Sequence, residues 1–187
     1  MVDGYRHLTG VCVDVLDGVM EGAGSAEWTA AQLAVREDRS LDEVCREWNE
    51  RAPQLEAKVA AAGVAMAFCA FDAWTHGQDI RSAVGLPSRP DEDLVVSLAE
   101  IAVSTFGRRY AGSGAPTLRI VFAGADHLLG EGEPTVTLST TAYELLRIIF
   151  GRRSHSQIQA ADWSGVDPAA AIDALHLFDC PDQAIID

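Results

Sequence analysis

The chain has 187 residues, enough for one domain with a real core or for two small ones, and its hydrophobic content of 48% is ordinary for a soluble protein. It carries 14 basic and 28 acidic residues, and the resulting formal charge of -14 argues against nucleic acid or an anionic membrane surface as a partner. No apolar run approaches a membrane span and the N-terminus lacks the basic and apolar regions of a signal peptide, so we predict a cytoplasmic protein.

The cysteines give no metal or disulfide pattern. They are scattered and no Cys-x-x-Cys pair occurs, so in a cytoplasmic chain we expect reduced core residues: Cys12, Cys45, Cys69 and Cys180. Cys69 lies three residues before Asp72, on the same predicted helix. A thiol beside that carboxylate and a simply packed thiol are both left open.

The first predicted element is a helix from Gly4 to Met20. His7 borders its apolar stripe, which consists of Leu8, Val11, Cys12, Val15, Leu16 and Val19. A histidine at such an edge is either a satisfied boundary residue or a ligand. Residues 22–25 break the helix, and residues 30–34 add a short helical piece.

Two further helices follow. Ser40 and Glu43 form a capping box, since each side chain satisfies a free backbone donor of the other residue. The helix that they open contains Pro53, which should kink or divide it. The next helix spans residues 64–84, and Gly85 provides a stop signal.

The helix over residues 64–84 carries the candidate site. Asp72 and His76 are four residues apart, so both side chains lie on one helical face, which Phe68 and Ala83 are predicted to turn inward. A carboxylate and an imidazole at this spacing can hold one divalent ion. The alternative is that His76 hydrogen-bonds Asp72 at the helix surface without a metal.

The second part of the chain has a different pattern. Residues 90–93 begin another helix with negative charge at its positive dipole end, and Arg108 and Arg109 lie in its last turn. The Gly- and Ser-rich stretch 111–116 is predicted to be a linker. The predicted elements after it are a strand over 118–122, a turn over 130–134, a strand over 136–138, a helix over 142–150 opened by a Thr141/Glu144 capping box, a short strand over 157–163, and a last helix capped by Asp167 and Pro168.

Three patches of sequence resemble the mycothiol-dependent maleylpyruvate isomerase family of high-GC actinobacteria. They are Arg6-His7-Leu8-Thr9-Gly10-Val11; residues 72–81 with 83–87; and residues 144–147 through 151–154 with 162–165. The stretch 27–33 through Ser40-Leu41 and Ala52-Pro53 is also typical of that family. The resemblance covers nearly the whole chain.

The resemblance implies a fold of mixed class. It predicts a DinB-like helical bundle over residues 1–110, a linker over 111–116 and a small α+β domain over 117–187. It also implies that His7, Asp72 and His76 hold one divalent metal, usually zinc. The family acid is often Glu, and Asp72 is one methylene shorter.

The chemistry implied by the resemblance uses mycothiol as a cosubstrate. A zinc-bound thiolate adds to an electrophilic small molecule, and either cis-trans isomerisation or thiol transfer follows. Arg152 and Arg153 resemble the basic patch that clamps a dicarboxylate substrate, although an ordinary pair of helix-end arginines bound to carbonyls is the alternative. Asp79 is predicted to orient a ligand histidine.

The sequence differs from the family pattern at its N-terminal end. Members begin with a further helix before the His-Leu segment, whereas this sequence starts almost at that histidine. We therefore expect either a bundle of fewer helices or a start that is internal to the gene. Exposed apolar stripes would favour a homo-oligomer. The competing hypothesis is a non-catalytic metal- or ligand-binding regulatory module on the same fold, and the sequence identifies neither the electrophile nor the metal.

Overall fold

The protein is described by a computed structural model covering residues 2–88 and 92–186, with the backbone alone for Glu92. It is 59% helical and 10% strand, which confirms a mixed helix-and-sheet class. The chain divides into two compact units, Met1–Ser88 and Arg89–Asp187.

The first unit is helical, and its first helix packs against the other three. The helix α1 spans Val2–Asp17 and contacts α2 at Ala26–Ala34, α3 at Leu41–Ala62 and α4 at Ala67–Ala83. Ser25 begins α2 by accepting a hydrogen bond from the Trp28 backbone N–H. The second helix is thus one turn longer than the predicted piece over 30–34.

The capping box at the start of α3 is confirmed in both directions, because Ser40 accepts from the Glu43 backbone and Glu43 accepts from the Ser40 backbone. Pro53 does not divide this helix, which runs without a break from Leu41 to Ala62. A proline removes only one backbone donor, and the surrounding ladder holds the helix together.

The predicted helix over 64–84 begins later than expected. Gly63 ends α3 with φ 59°, and Gly63–Met66 forms a 3₁₀ turn before α4. Phe68 is 40% exposed and Ala83 is also exposed, so the prediction that these two mark the inward face is wrong. The buried positions of α4 are Ala67, Cys69, Phe71, Trp74, Thr75 and Gln78.

One helical stretch in the described residues, Leu41–Ala83, is long and apolar enough to cross a membrane by length and composition. Its best 18-residue window has a mean hydropathy of 1.3, and 17% of that window is buried. The prediction that no apolar run approaches a membrane span is corrected to that extent. A single such stretch is weak evidence, and this one is interrupted at Gly63.

The core of the first unit lies where α1, α3 and α4 meet. It is formed by Val11, Cys12, Val15, Leu55 and Cys69, with larger, partly buried side chains such as Trp28 and Trp48 packed around it. The apolar stripe predicted on α1 therefore faces the core as far as Val15. Val19, the last predicted member of the stripe, lies beyond the end of the helix and is 56% exposed.

The second unit begins with α5, Glu92–Ala111, which the linker prediction had assigned to the first domain. This helix packs against α6 and β2, so the boundary falls one helix earlier than residues 111–116. Arg108 and Arg109 lie in its last turn as predicted. Pro90 and Asp91, predicted to open this helix, lie outside the described residues.

A four-stranded sheet follows, in the order β2-β1-β3-β4. The strands are β1 at Leu118–Phe122, β2 at Ala125–Leu129, β3 at Val136–Ser139 and β4 at Asp162–Gly165. The first and third strands pair in parallel, and the other two pairings are antiparallel. Alternate β1 side chains are buried, as the sequence predicts.

The strand β2 was not predicted from the sequence. The turn that leads into it is the two-residue pair Ala123-Gly124, and both residues have positive φ, 52° and 77°. This is the hairpin geometry that normally selects Asn-Gly or Gly-Gly, and an Ala in the first position hides the signal.

Three short helices complete the unit: α6 at Ala142–Ile149, α7 at His155–Gln159 and α8 at Ala169–Leu175. Thr141 caps α6 by accepting from the Glu144 backbone N–H, but the Glu144 side chain binds Arg153 instead of closing the box. The strand predicted over 157–163 is wrong in its first half, because residues 157–159 belong to α7.

Candidate metal centre

The structure brings His7, Asp72 and His76 together. His7 lies on the buried face of α1, and the other two lie one turn apart on α4, which packs against α1. One ligand atom from each residue lies within 4.8 Å of the other two. Sequence reasoning predicted all three residues, but the closeness of His7 to the α4 pair is a result of helix packing alone.

The distances suit a small divalent cation. His7 Nε2 is 3.4 Å and His76 Nε2 is 3.6 Å from Asp72 Oδ1. A tetrahedral zinc site with bonds of about 2.0–2.1 Å has ligand atoms about 3.3 Å apart. The distances from Asp72 Oδ1 to His7 Nε2 and to His76 Nε2 are therefore already close to those expected around a bound zinc ion. Two nitrogens and one carboxylate oxygen form a donor set that zinc accepts and that leaves a fourth position open.

A further observation supports the fit. Asp72 Oδ2 is buried and has no hydrogen-bond partner among the described residues. A buried carboxylate oxygen without a donor or a cation costs free energy. A divalent ion held by this carboxylate and the two imidazoles would compensate for that cost, so the residues present fit a metal.

Asp79 lies at the other side of His76. Its Oδ2 is 3.6 Å from His76 Nδ1, the ring nitrogen that the metal would leave free. This is ion-pair range and slightly long for a hydrogen bond. The predicted role of Asp79 in orienting His76 stays a prediction, and the structure places the carboxylate at the ring atom on which that role depends.

The sequence analysis missed the residue that contacts His7 from its other side. Gln32, on α2, lies with Oε1 2.7 Å from His7 Nδ1, and its Nε2 donates to Asp14 Oδ2 over 2.7 Å. The available signal was Gly10, because a glycine inside an apolar helix often marks a close approach. A Cβ there would lie 2.5 Å from the Gln32 Cβ.

Cys69 lies in the core beside this cluster and is not one of its ligands. Burial, and after it the charge of Asp72, raises the pKa of the Cys69 thiol to about 11. The thiol therefore stays protonated near neutral pH, as a packed core residue does. Cys12 is likewise buried, and burial raises its pKa as well.

A groove of about 610 Å³ lies between α1, α3 and α4, and its lining residues do not include His7, Asp72 or His76. Leu8, Ala73 and Gly77 line it, and each directly follows a ligand residue in sequence. Its other lining residues are Tyr5, Thr9, Cys45, Trp48, Asn49, Trp74, Gln78, Ile80 and Arg81. The groove thus has aromatic walls, two amide side chains and one guanidinium group.

The remaining predicted site residues, Arg152 and Arg153, lie in the second unit and make internal contacts. Arg152 Nη1 donates to the Phe150 carbonyl over 2.8 Å. Arg153 is 6% exposed and donates twice to the Glu144 carboxylate, each time over 2.7 Å. The Arg152 contact matches the structural alternative of a helix-end arginine bound to a carbonyl, whereas Arg153 binds a carboxylate in the first turn of α6. The substrate-clamp role stays a prediction.

Comparisons with known proteins add no further assignment. No family model, curated protein or solved structure matches this chain.

Proposed function

We propose that the protein is a metal- and thiol-dependent enzyme of the maleylpyruvate isomerase type, built on a DinB-like helical bundle. The observation that carries the proposal is the convergence of His7, Asp72 and His76 within 4.8 Å. The cosubstrate is mycothiol, and the substrate is a small electrophile with a polarised double bond. The protein is proposed to act in the cytoplasm.

The metal would be held by His7 Nε2, one Asp72 oxygen and His76 Nε2. When bound, zinc supplies a Lewis-acid centre that lowers the pKa of a thiol at its open position. His7 is 9% exposed, so protein atoms and not water surround this ligand. A low local dielectric strengthens the interaction of the cluster with a divalent ion.

The isomerisation needs no redox change. A thiol adds across the cis double bond, the new single bond rotates, and elimination returns the thiol and the trans product. In this scheme the groove beside the cluster holds the electrophile, with apolar walls around its carbon skeleton. Arg81, which lines the groove, offers the positive charge that an anionic substrate requires.

Metal content tests the proposal directly. Purified wild-type protein should contain about one zinc per chain by elemental analysis, and His76→Ala should lose it. His155→Ala is a matched control, because His155 faces Asp173 at 3.2 Å in a histidine–carboxylate pair that belongs to no ligand cluster in the described part of the chain. A metal-free wild-type protein would overturn the proposal.

The thiol and the groove are tested next. Mycothiol should perturb the visible spectrum of the Co²⁺-loaded protein, and Gly77→Leu should abolish turnover of maleylpyruvate while leaving metal content unchanged. A Cβ on Gly77 meets nothing within 4 Å, so the leucine fills the groove without a clash at its first atom. Metal binding without any thiol response would favour the non-catalytic regulatory module instead.

A further inference from the structure

A chain of three polar side chains leads from α1 through α2 and back to α1. It runs from His7 Nδ1 to Gln32 Oε1 over 2.7 Å and from Gln32 Nε2 to Asp14 Oδ2 over 2.7 Å. Gln32 is 3% exposed; its hydrogen bond to His7 is buried and its hydrogen bond to Asp14 is partly buried.

The orientation of the Gln32 amide follows from its two neighbours. A carboxylate only accepts hydrogen bonds, so the end of the amide that faces Asp14 must be the NH₂ group. The other end, which faces His7, must then be the carbonyl oxygen. A carbonyl oxygen accepts only, so the nearby His7 Nδ1 has to carry a proton.

We infer that Gln32, held by Asp14, is a positioning residue that fixes His7 in the Nδ1–H tautomer and aims the Nε2 lone pair at the metal position. In this state His7 Nε2 and Asp72 Oδ1 are two acceptors 3.4 Å apart. In the neutral ring a protonated Nδ1 leaves Nε2 without a proton, so Nε2 and Asp72 Oδ1 repel each other and a cation relieves that repulsion.

The surrounding packing holds Gln32 in place. Gly10 lacks the Cβ that would collide with the Gln32 side chain at 2.5 Å. Arg36, which is 4% exposed, donates to the Gln32 backbone carbonyl and is itself held by Glu47 through two hydrogen bonds. Both the backbone and the side chain of Gln32 are therefore anchored, as tautomer control requires.

The role of Gln32 in metal binding rests on the proposed function, but the tautomer can be measured without a metal. Two-bond ¹H–¹⁵N NMR spectra of metal-free wild-type protein at pH 8 should show His7 with a protonated Nδ1 and an unprotonated Nε2. Gln32→Leu should shift His7 toward a mixture of tautomers. A wild-type spectrum with the proton on Nε2 overturns the inference whether or not any variant folds.

Metal affinity provides the second readout. Zn²⁺ titrated against a competing chromophoric chelator should bind Gln32→Leu about ten- to hundredfold more weakly than wild type, the usual loss for a residue that orients a ligand. The double variant Gln32→Glu with Asp14→Asn keeps the net charge. It reverses the hydrogen bond between positions 14 and 32, because the amide at 14 now donates to the carboxylate at 32, which still accepts from His7. It should therefore restore both the tautomer and the affinity.

Gln54→Leu is the control, since Gln54 is exposed on α3 and, within the described residues, donates to the Glu50 carbonyl alone. Unchanged zinc affinity and an unchanged tautomer in folded Gln32→Leu would overturn the inference. Failure of the wild type to bind zinc would overturn the proposed function alone, because the NMR spectrum of the metal-free protein still decides the tautomer.

Discussion

The ion pair between Arg153 and Glu144 offers a sharp test of how the second unit is stabilised. The Arg153 side chain is 7% exposed and the Glu144 side chain 42%, and two nitrogens of the guanidinium reach the carboxylate at 2.7 Å. Glu144→Gln keeps the shape and removes the charge. The buried guanidinium then loses the charge that faces it at Glu144.

The expected cost lies between two limits. Exposed ion pairs contribute about 0.2–1 kcal/mol, whereas removing one member of a fully buried pair costs about 3–5 kcal/mol. Since the arginine is buried and the glutamate is partly exposed, solvent screening places the cost of Glu144→Gln at about 2 kcal/mol.

Urea unfolding of four proteins measures this cost: wild type, Glu144→Gln, Arg153→Met and the double variant. The double-mutant cycle should give a coupling free energy of at least about 1 kcal/mol. Asp126→Asn is the control, because its pair with Arg119 is longer, at 3.4 Å, and exposed on both sides. That change should stay within about 0.5 kcal/mol.

A coupling near zero would refute the argument that Arg153 is held for stability and would favour its availability to a substrate. A large coupling, with metal content unchanged in every variant, would assign Arg153 to the stability of α6. This experiment therefore separates the two interpretations that the sequence left open for Arg153.

Three further predictions concern the first unit. Since burial raises the pKa of Cys69 from 9.0 to about 11, the free energy of unfolding should stay constant up to about pH 9 and fall by up to about 2 kcal/mol by pH 11. Cys69→Ala should remove this part of the fall. Equal pH profiles for wild type and Cys69→Ala would contradict the prediction. Gly77→Ala, in mid-helix with open space around the new Cβ, should stabilise the protein by about 0.5–1 kcal/mol in urea unfolding, and a loss of stability would show that α4 needs a glycine there. Ser40→Ala should cost about 1 kcal/mol, because Ser40 caps α3 by accepting a hydrogen bond from the Glu43 backbone N–H; an unchanged midpoint would contradict the cap.

Local features of the sequence determined most of the helices. The capping box at Ser40 and the apolar spacing on α1 and β1 depend on residues within one or two turns, so they can be recognised without tertiary contacts. The pairing of Asp72 with His76 is of the same kind, because a helix alone places residues four apart on one face.

Tertiary packing decided the rest. The contact of His7 with the Asp72/His76 pair and the anchoring of His7 by Gln32 join residues on different helices, and no local pattern encodes which helices become neighbours. The Glu144 carboxylate likewise binds the more distant Arg153 guanidinium instead of the backbone N–H of Thr141, the cap residue of its own helix. By itself the sequence determined which side chains could act as ligands; the packing of α1 against α2 and α4 decided which of them meet, because only burial brings groups from distant parts of the chain into one low-dielectric site.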